Sequence, residues 1–174
     1  MRIKKLLKDK NAEGVFGMSF SMIFSILLII FFIAAAFIAI KFFLGFQRNA
    51  QIGMFLDDLQ YEVDKAWESQ SSGFIFNSTL PSGIEYVCFM NLSAEVENAD
   101  AIEEEVYRNM RDSGASWKVN FAFWPIEEAG DFGFKIINHI QFPEDNPHCI
   151  TIGKENVIGI KIEKNFGEAL VRVG

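Results

Sequence analysis

Residues 14–40, GVFGMSFSMIFSILLIIFFIAAAFIAI, contain no charged side chain. At about 1.5 Å per residue this run would reach roughly 40 Å as a helix, against a bilayer hydrocarbon core of about 30 Å. The reading is a membrane-spanning helix. Beyond Lys41 the apolar character continues through Phe42, Phe43, Leu44 and Phe46, so the span is placed at residues 14–46. Gly14 and Gly17 open it, and Ser19, Ser21 and Ser25 are spaced to satisfy their hydroxyls on preceding helix carbonyls or on a neighbouring helix. Ala34, Ala35 and Ala36 offer an A-x-A signal-cleavage site. The run is longer than the 7–15 residues typical of a secretory signal core, however, which favours a retained anchor.

The flanks of the span differ in charge. Arg2, Lys4, Lys5, Lys8 and Lys10 stand against Asp9 and Glu13, giving residues 1–17 a net charge of +3, whereas residues from Lys41 onward carry −10. A basic cluster in a short loop stays on the cytoplasmic side of the first apolar helix. Residues 1–13 are therefore expected to form a cytoplasmic basic leader, with the bulk of the chain outside the cell membrane. The acidic outer part argues against a nucleic-acid partner, since phosphate binding requires a basic footprint.

After Gln47 the pattern becomes amphipathic. Ile52, Phe55, Leu56, Leu59, Val63, Ala66 and Trp67 recur at steps of 3 and 4, with Asp57, Asp58, Gln60, Glu62, Asp64, Lys65 and Glu68 between them. No proline separates this stretch from the span. The expectation is one helix from about Gly17 to Ser69, its residues 47–69 an amphipathic extension with one buried face, and with Gly45 and Gly53 as points where it could bend.

Residues 70–174 then read as one β-rich head. Candidate strands are 74–76, 84–91, 117–124, 132–140, 149–152, 157–163 and 169–173. Trp117, Val119, Phe121 and Phe123 alternate with Lys118, Asn120 and Ala122, and Ile158, Ile160 and Ile162 alternate with Gly159, Lys161 and Glu163. The links GKEN (153–156) and KNFGE (164–168) suit antiparallel hairpins. Residues 94–111 read as a second helix, with Val96, Ile102, Val106 and Met110 apolar. The predicted fold class is α+β: a long N-terminal helix, transmembrane then amphipathic, packed on an antiparallel β-sheet head.

Chemistry-bearing patterns are sparse. Cys88 and Cys149 are the two cysteines, and in an outer domain they could form a disulfide or remain two separate buried thiols. His139 and His148 complete the conceivable metal ligands, but no C-x-x-C or H-x-x-x-H spacing brings them together, and neither a metal nor a cofactor is predicted. His148 precedes Cys149 directly, and adjacent strand residues point to opposite faces, which places them badly as a nucleophile and base. No G-x-S-x-G, P-loop or G-x-G-x-x-G motif occurs, so no enzyme activity is expected. The sequons Asn77-Ser78-Thr79 and Asn91-Leu92-Ser93 make Asn77 and Asn91 candidate glycosylation sites.

The order of parts, with the junction DKNAEGVFGMSFSM at residues 9–22, resembles the type IV pilin-like proteins of archaea. Here Glu13 precedes Gly14 where the family has a Lys or Arg, and the family's glutamate shortly after the junction is absent. The resemblance implies removal of the leader by a prepilin-type peptidase, and helices that bundle as a filament core or hold a surface protein in the membrane. From Gly73 onward, segments such as LPSGIEYVCF and NFAFWP are similar to uncharacterised archaeal membrane-anchored proteins, which implies no activity. The leading expectation is a single-pass, outward-facing structural or interaction protein whose partners are the lipid bilayer and further copies of itself through the N-terminal helix. The alternative is a monomeric tethered module that displays a ligand-binding β-domain.

Overall fold

The computed structural model describes residues 19–114, 118–142 and 145–174, with side chains from Ser21 onward in the first segment. The expected leader, the start of the apolar run at Gly14 and Gly17, and Trp117 lie outside the described residues. The chain is α+β. Its elements are α1 (Ser19–Glu68), β1 (Ser72–Thr79), β2 (Tyr86–Phe89), α2 (Ala101–Asp112), β3 (Phe121–Trp124), β4 (Phe134–Lys135), β5 (Ile140–Gln141), β6 (His148–Thr151), β7 (Val157–Lys164) and β8 (Val171–Val173). The chain divides into two compact units after Gly45. Of the first, the described residues are the N-terminal part of α1; the second, Phe46–Gly174, holds the rest of α1 and every strand. α1 runs through Gly45 and Gly53 as one helix.

The head contains two four-stranded sheets instead of the single sheet expected from sequence, in the orders β1-β7-β8-β5 and β4-β3-β2-β6. All pairings are antiparallel except β5 with β8, which is parallel. The main core lies between α1 and both sheets. α1 supplies Ile52, Phe55, Leu56, Leu59, Val63 and Ala66, the first sheet Ile158, Ile160, Ile162, Val171 and Val173, and the second Val87, Phe89, Phe121 and Phe123. Phe55 joins the layers, its ring centroid 5.8 Å from Phe76 on β1 and 5.6 Å from Phe123 on β3. Aromatic pairs at such separations contribute about 0.5–1.5 kcal/mol beyond their buried area.

The second sheet is covered on its other face as well. Cys88 and Ala122 point away from α1 and pack with Val106 and Met110 of α2. With both faces buried, β2 and β3 lose the alternation that marks a half-solvated strand, and YVCF and FAFW read as continuous apolar runs.

Several boundaries differ from the sequence expectation. The second helix begins at Ala101, because Asp100 accepts the Ile102 and Glu103 backbone N–H groups while Glu103 accepts that of Asp100, a reciprocal cap. Residues 94–99 are not helical: Asn98 has φ +53°, and Glu97 bridges to Asn146. Val96 is accordingly outside the helix and exposed. The strand expected over residues 132–140 breaks into β4 and β5, which belong to different sheets. The crossing is held by the buried Asn120 carboxamide, which donates to Ile137 O at 2.7 Å and accepts from Ile137 N at 2.8 Å, in place of a strand partner. The GKEN link is not a hairpin, since β6 pairs with β2 and β7 with β1, and Glu155 and Asn156 take positive φ where the chain changes sheet.

KNFGE does close an antiparallel hairpin, β7 to β8. There the Asn165 backbone N–H holds the Glu168 carboxyl below its usual range, helped by the Asn165 side chain and Arg172 and opposed by desolvation. A depressed carboxyl stabilises the fold above its unfolded pKa, and that contribution is lost as pH falls through the folded one.

Truncating Phe55 to Ala should leave a cavity shared by the three layers and destabilise the head by about 3–5 kcal/mol. Denaturant midpoints of the detergent-solubilised wild-type and Phe55→Ala chains, compared at equal m-value, measure it. A loss below about 1 kcal/mol would contradict this packing.

Candidate functional site

Among the described residues, the exposed large apolar side chains are concentrated on α1. From Ser21 to Gln47 every residue is exposed, and the only charge is Lys41. Large apolar side chains point in all directions, from Leu28 at 40 % exposed to Phe42 at 79 %. Fully burying one such side chain contributes about 1.5–3 kcal/mol relative to leaving it in water. A helix apolar all round is suited to an environment other than water. Its backbone is satisfied internally, and the Ser25 hydroxyl donates to Ser21 O at 2.8 Å, so it presents few unpaired polar groups to such an environment. The helix is long and apolar enough to cross a membrane.

The two cysteines are brought together. β2 and β6 pair antiparallel with Cys88 directly opposite Cys149, Cα atoms 4.0 Å apart, and the sulfurs are joined as a disulfide. Cys149 N donates to Glu103 Oε1 at 2.8 Å, so α2 is tied to the same point. Neither histidine joins them. His148 lies opposite Phe89, its Nδ1 4.0 Å from Asp145, while His139 belongs to a different cluster. Among the described residues no group of three or more His, Cys, Asp or Glu converges in a way that could hold a metal.

That other cluster has no counterpart in the sequence reading. His139, at φ +64°, stacks on Trp67 with ring centroids 3.9 Å apart and planes 6° from parallel. Its Nδ1 lies 2.9 Å from Asp64 Oδ1, which also accepts from Gln60 Nε2 at 2.7 Å. Gln60 Oε1 accepts Asn138 N at 2.8 Å, and Trp67 Nε1 donates to Ala169 O at 3.0 Å. The last turns of α1 are thereby latched to the chain before β5 and β8. The helical spacing of Gln60, Asp64 and Trp67 was the only available signal, and their partners lie 75 or more residues away. Trp67 is 39 % exposed, so the sequence places it on the wrong side of the core boundary.

Nearer Gly45, Arg48 Nε donates to Glu128 O at 2.7 Å, and its guanidinium meets the Glu128 carboxylate and Ser82 O. Gly83, at φ +99°, lies against this pair, and a Cβ there would come within 2.8 Å of Glu128 Oε2. On another face, an open groove of 430 Å³ is lined by Gly53, Leu56, Asp57, Gln60, Phe132, Lys135, Ile136, Ile137 and Asn138. Among the described residues no histidine, cysteine, serine or threonine lines it, and Gln60 is already committed to the latch.

Asn77 is exposed on β1, whereas Asn91 is half-buried in a turn. No family model, curated protein or solved structure matches this chain.

Closing the chain between Cys88 and Cys149 should stabilise the head by about 2–4 kcal/mol. The full chain in detergent is expected to show a correspondingly lower denaturant midpoint after reduction and thiol blocking. Alkylation of both thiols in the unreduced, denatured protein would contradict the pairing.

Proposed function

We propose that this chain is a single-pass membrane-anchored, outward-facing, pilin-like structural or interaction protein that self-assembles through its N-terminal helix. The observation that carries the reading is the apolar surface of α1 between Met22 and Phe46, exposed all round and interrupted by one charge. One arc of such a helix can face lipid while another packs against sister helices, where van der Waals contact and small residues such as Ala34, Ala35 and Ala36 allow close approach. The basic residues at positions 2–10 favour a cytoplasmic N-terminus, which places the head outside. An extracytoplasmic compartment is also where a disulfide such as Cys88–Cys149 persists.

A second reading, a monomeric anchor displaying a ligand-binding head, is favoured by the 430 Å³ groove beside Gly53 and Lys135. The two readings separate on Phe31→Asp, which adds a charge at the middle of the span at a cost of about 2.5–3.5 kcal/mol. In the assembly reading, the wild-type chain is recovered in filaments sheared from the cell surface and the Phe31→Asp chain is missing from them. A wild-type chain absent from filaments, recovered as a monomer from membranes, and lost from membranes on Phe31→Asp would replace assembly with display.

A further inference from the structure

We propose that Asn77 is a site of N-linked glycosylation and that its glycan covers the open edge of the β1 sheet. The inference rests on the outward placement of the head. β1 is the terminal strand of its sheet, pairing with β7 over eight positions from Ser72↔Lys164 to Thr79↔Val157, and among the described residues no strand pairs with its other side. Open edges of this length invite pairing with another chain, and folded proteins blunt them with charge, proline or a bulge. β1 has none of these. Its sequence SGFIFNST is uncharged and free of proline, its register is unbroken, and Ile75 stands 61 % exposed on its outer face.

The sequon lies on that strand. Asn77 and Thr79, its first and third residues, are exposed and project from the same face because side chains alternate along a strand. Opposite Asn77 stands Gly159, so no cross-strand side chain competes for the space, and a Cβ there would come within 3.2 Å of Asn77 Oδ1. Asn77 Nδ2 makes one long hydrogen bond, 3.4 Å to Ile75 O.

The other sequon is held differently. Asn91 Oδ1 accepts Ser93 N at 3.0 Å, and both its backbone N–H and its carbonyl are taken by the buried Asn146 carboxamide. Leu92, between them, packs against the α2 core. Of the two asparagines, only Asn77 offers its amide on an open strand face.

The donor class is a polyisoprenyl phosphate- or diphosphate-linked oligosaccharide. Asn77 Nδ2 bonds to the anomeric carbon as the anomeric C–O bond breaks; the lipid phosphate leaves with that electron pair, and the proton lost from the nitrogen passes to the departing phosphate or to solvent. A sugar on this face would exclude a second strand sterically, doing what charge does on other edges.

The full chain from native membranes, as wild type, Asn77→Gln and Asn91→Gln, is digested and its peptides weighed, while external protease on intact cells reports whether the head is outside. The expected result is carbohydrate mass on the Asn77 peptide of the wild type and of Asn91→Gln, and none in Asn77→Gln. An unmodified Asn77 peptide with a protease-accessible head overturns this inference alone. An unmodified peptide with a protected head overturns it together with the outward reading, and carbohydrate only on Asn91 overturns the choice of residue. The covering role predicts that detergent-solubilised Asn77→Gln forms oligomers which an added Ile75→Lys removes; the same monomer fraction as wild type would overturn that role.

Discussion

The structure depends on the burial of one face of α1 against two sheets at once. Ile52, Phe55, Leu56, Leu59, Val63 and Ala66 form a stripe at helical spacing, and each is at most 6 % exposed. Neither sheet covers the other without it: the first contributes isoleucines and valines from β7 and β8, the second phenylalanines from β2 and β3, and Phe55 touches aromatic rings of both. Remove the helix and both inner faces meet water. Each Å² of apolar surface kept from water there contributes about 25 cal/mol to folding of the head.

Around this core the remaining contacts fix position. The latch of Asp64, Trp67 and His139 holds the C-terminal turns of α1, and Arg48 with Glu128 holds the part nearest Gly45. On the outer face of the second sheet, the Cys88–Cys149 bridge and the Glu103 carboxylate join β2, β6 and α2 at one point. A small head with this many long-range ties keeps its helix face engaged whatever surrounds the apolar turns before it.

What the sequence revealed follows from how each element is solvated. α1 was legible because an uncharged apolar run leads, without a proline, into a stripe at helical spacing from Ile52 to Ala66, and β7 because Ile158, Ile160 and Ile162 face the core while Val157, Gly159 and Lys161 face water. β2, β3 and β6 overlap the strands expected at residues 84–91, 117–124 and 149–152, but that they form a second sheet was not legible, since burial on both faces of Cys88, Ala122 and their neighbours leaves no solvated face to set them apart. Strands as short as β4 and β5 carry too few residues to show a period at all. Val96 stands among the apolar positions of the second helix expected from sequence, but the reciprocal cap at Asp100 and the positive φ of Asn98 end the helix before reaching it. The cysteine pair was suggested by count and compartment, whereas its register came from strand pairing that no local pattern encodes. The stacking of His139 on Trp67 likewise depends on the tertiary fold.

In the reading proposed above, α1 has two environments: a protein core from Ile52 to Ala66 and an apolar medium before Phe46. The most direct test places spin labels singly at Phe24→Cys, Phe31→Cys and Ile38→Cys in the full chain reconstituted in bilayers, and compares accessibility to oxygen with that to a water-soluble nickel complex. All three positions are expected to be shielded from nickel, with oxygen reaching those that face lipid. Nickel accessibility at all three, comparable to that of a label on the exposed outer face of β1, would place the span in water and contradict the membrane reading.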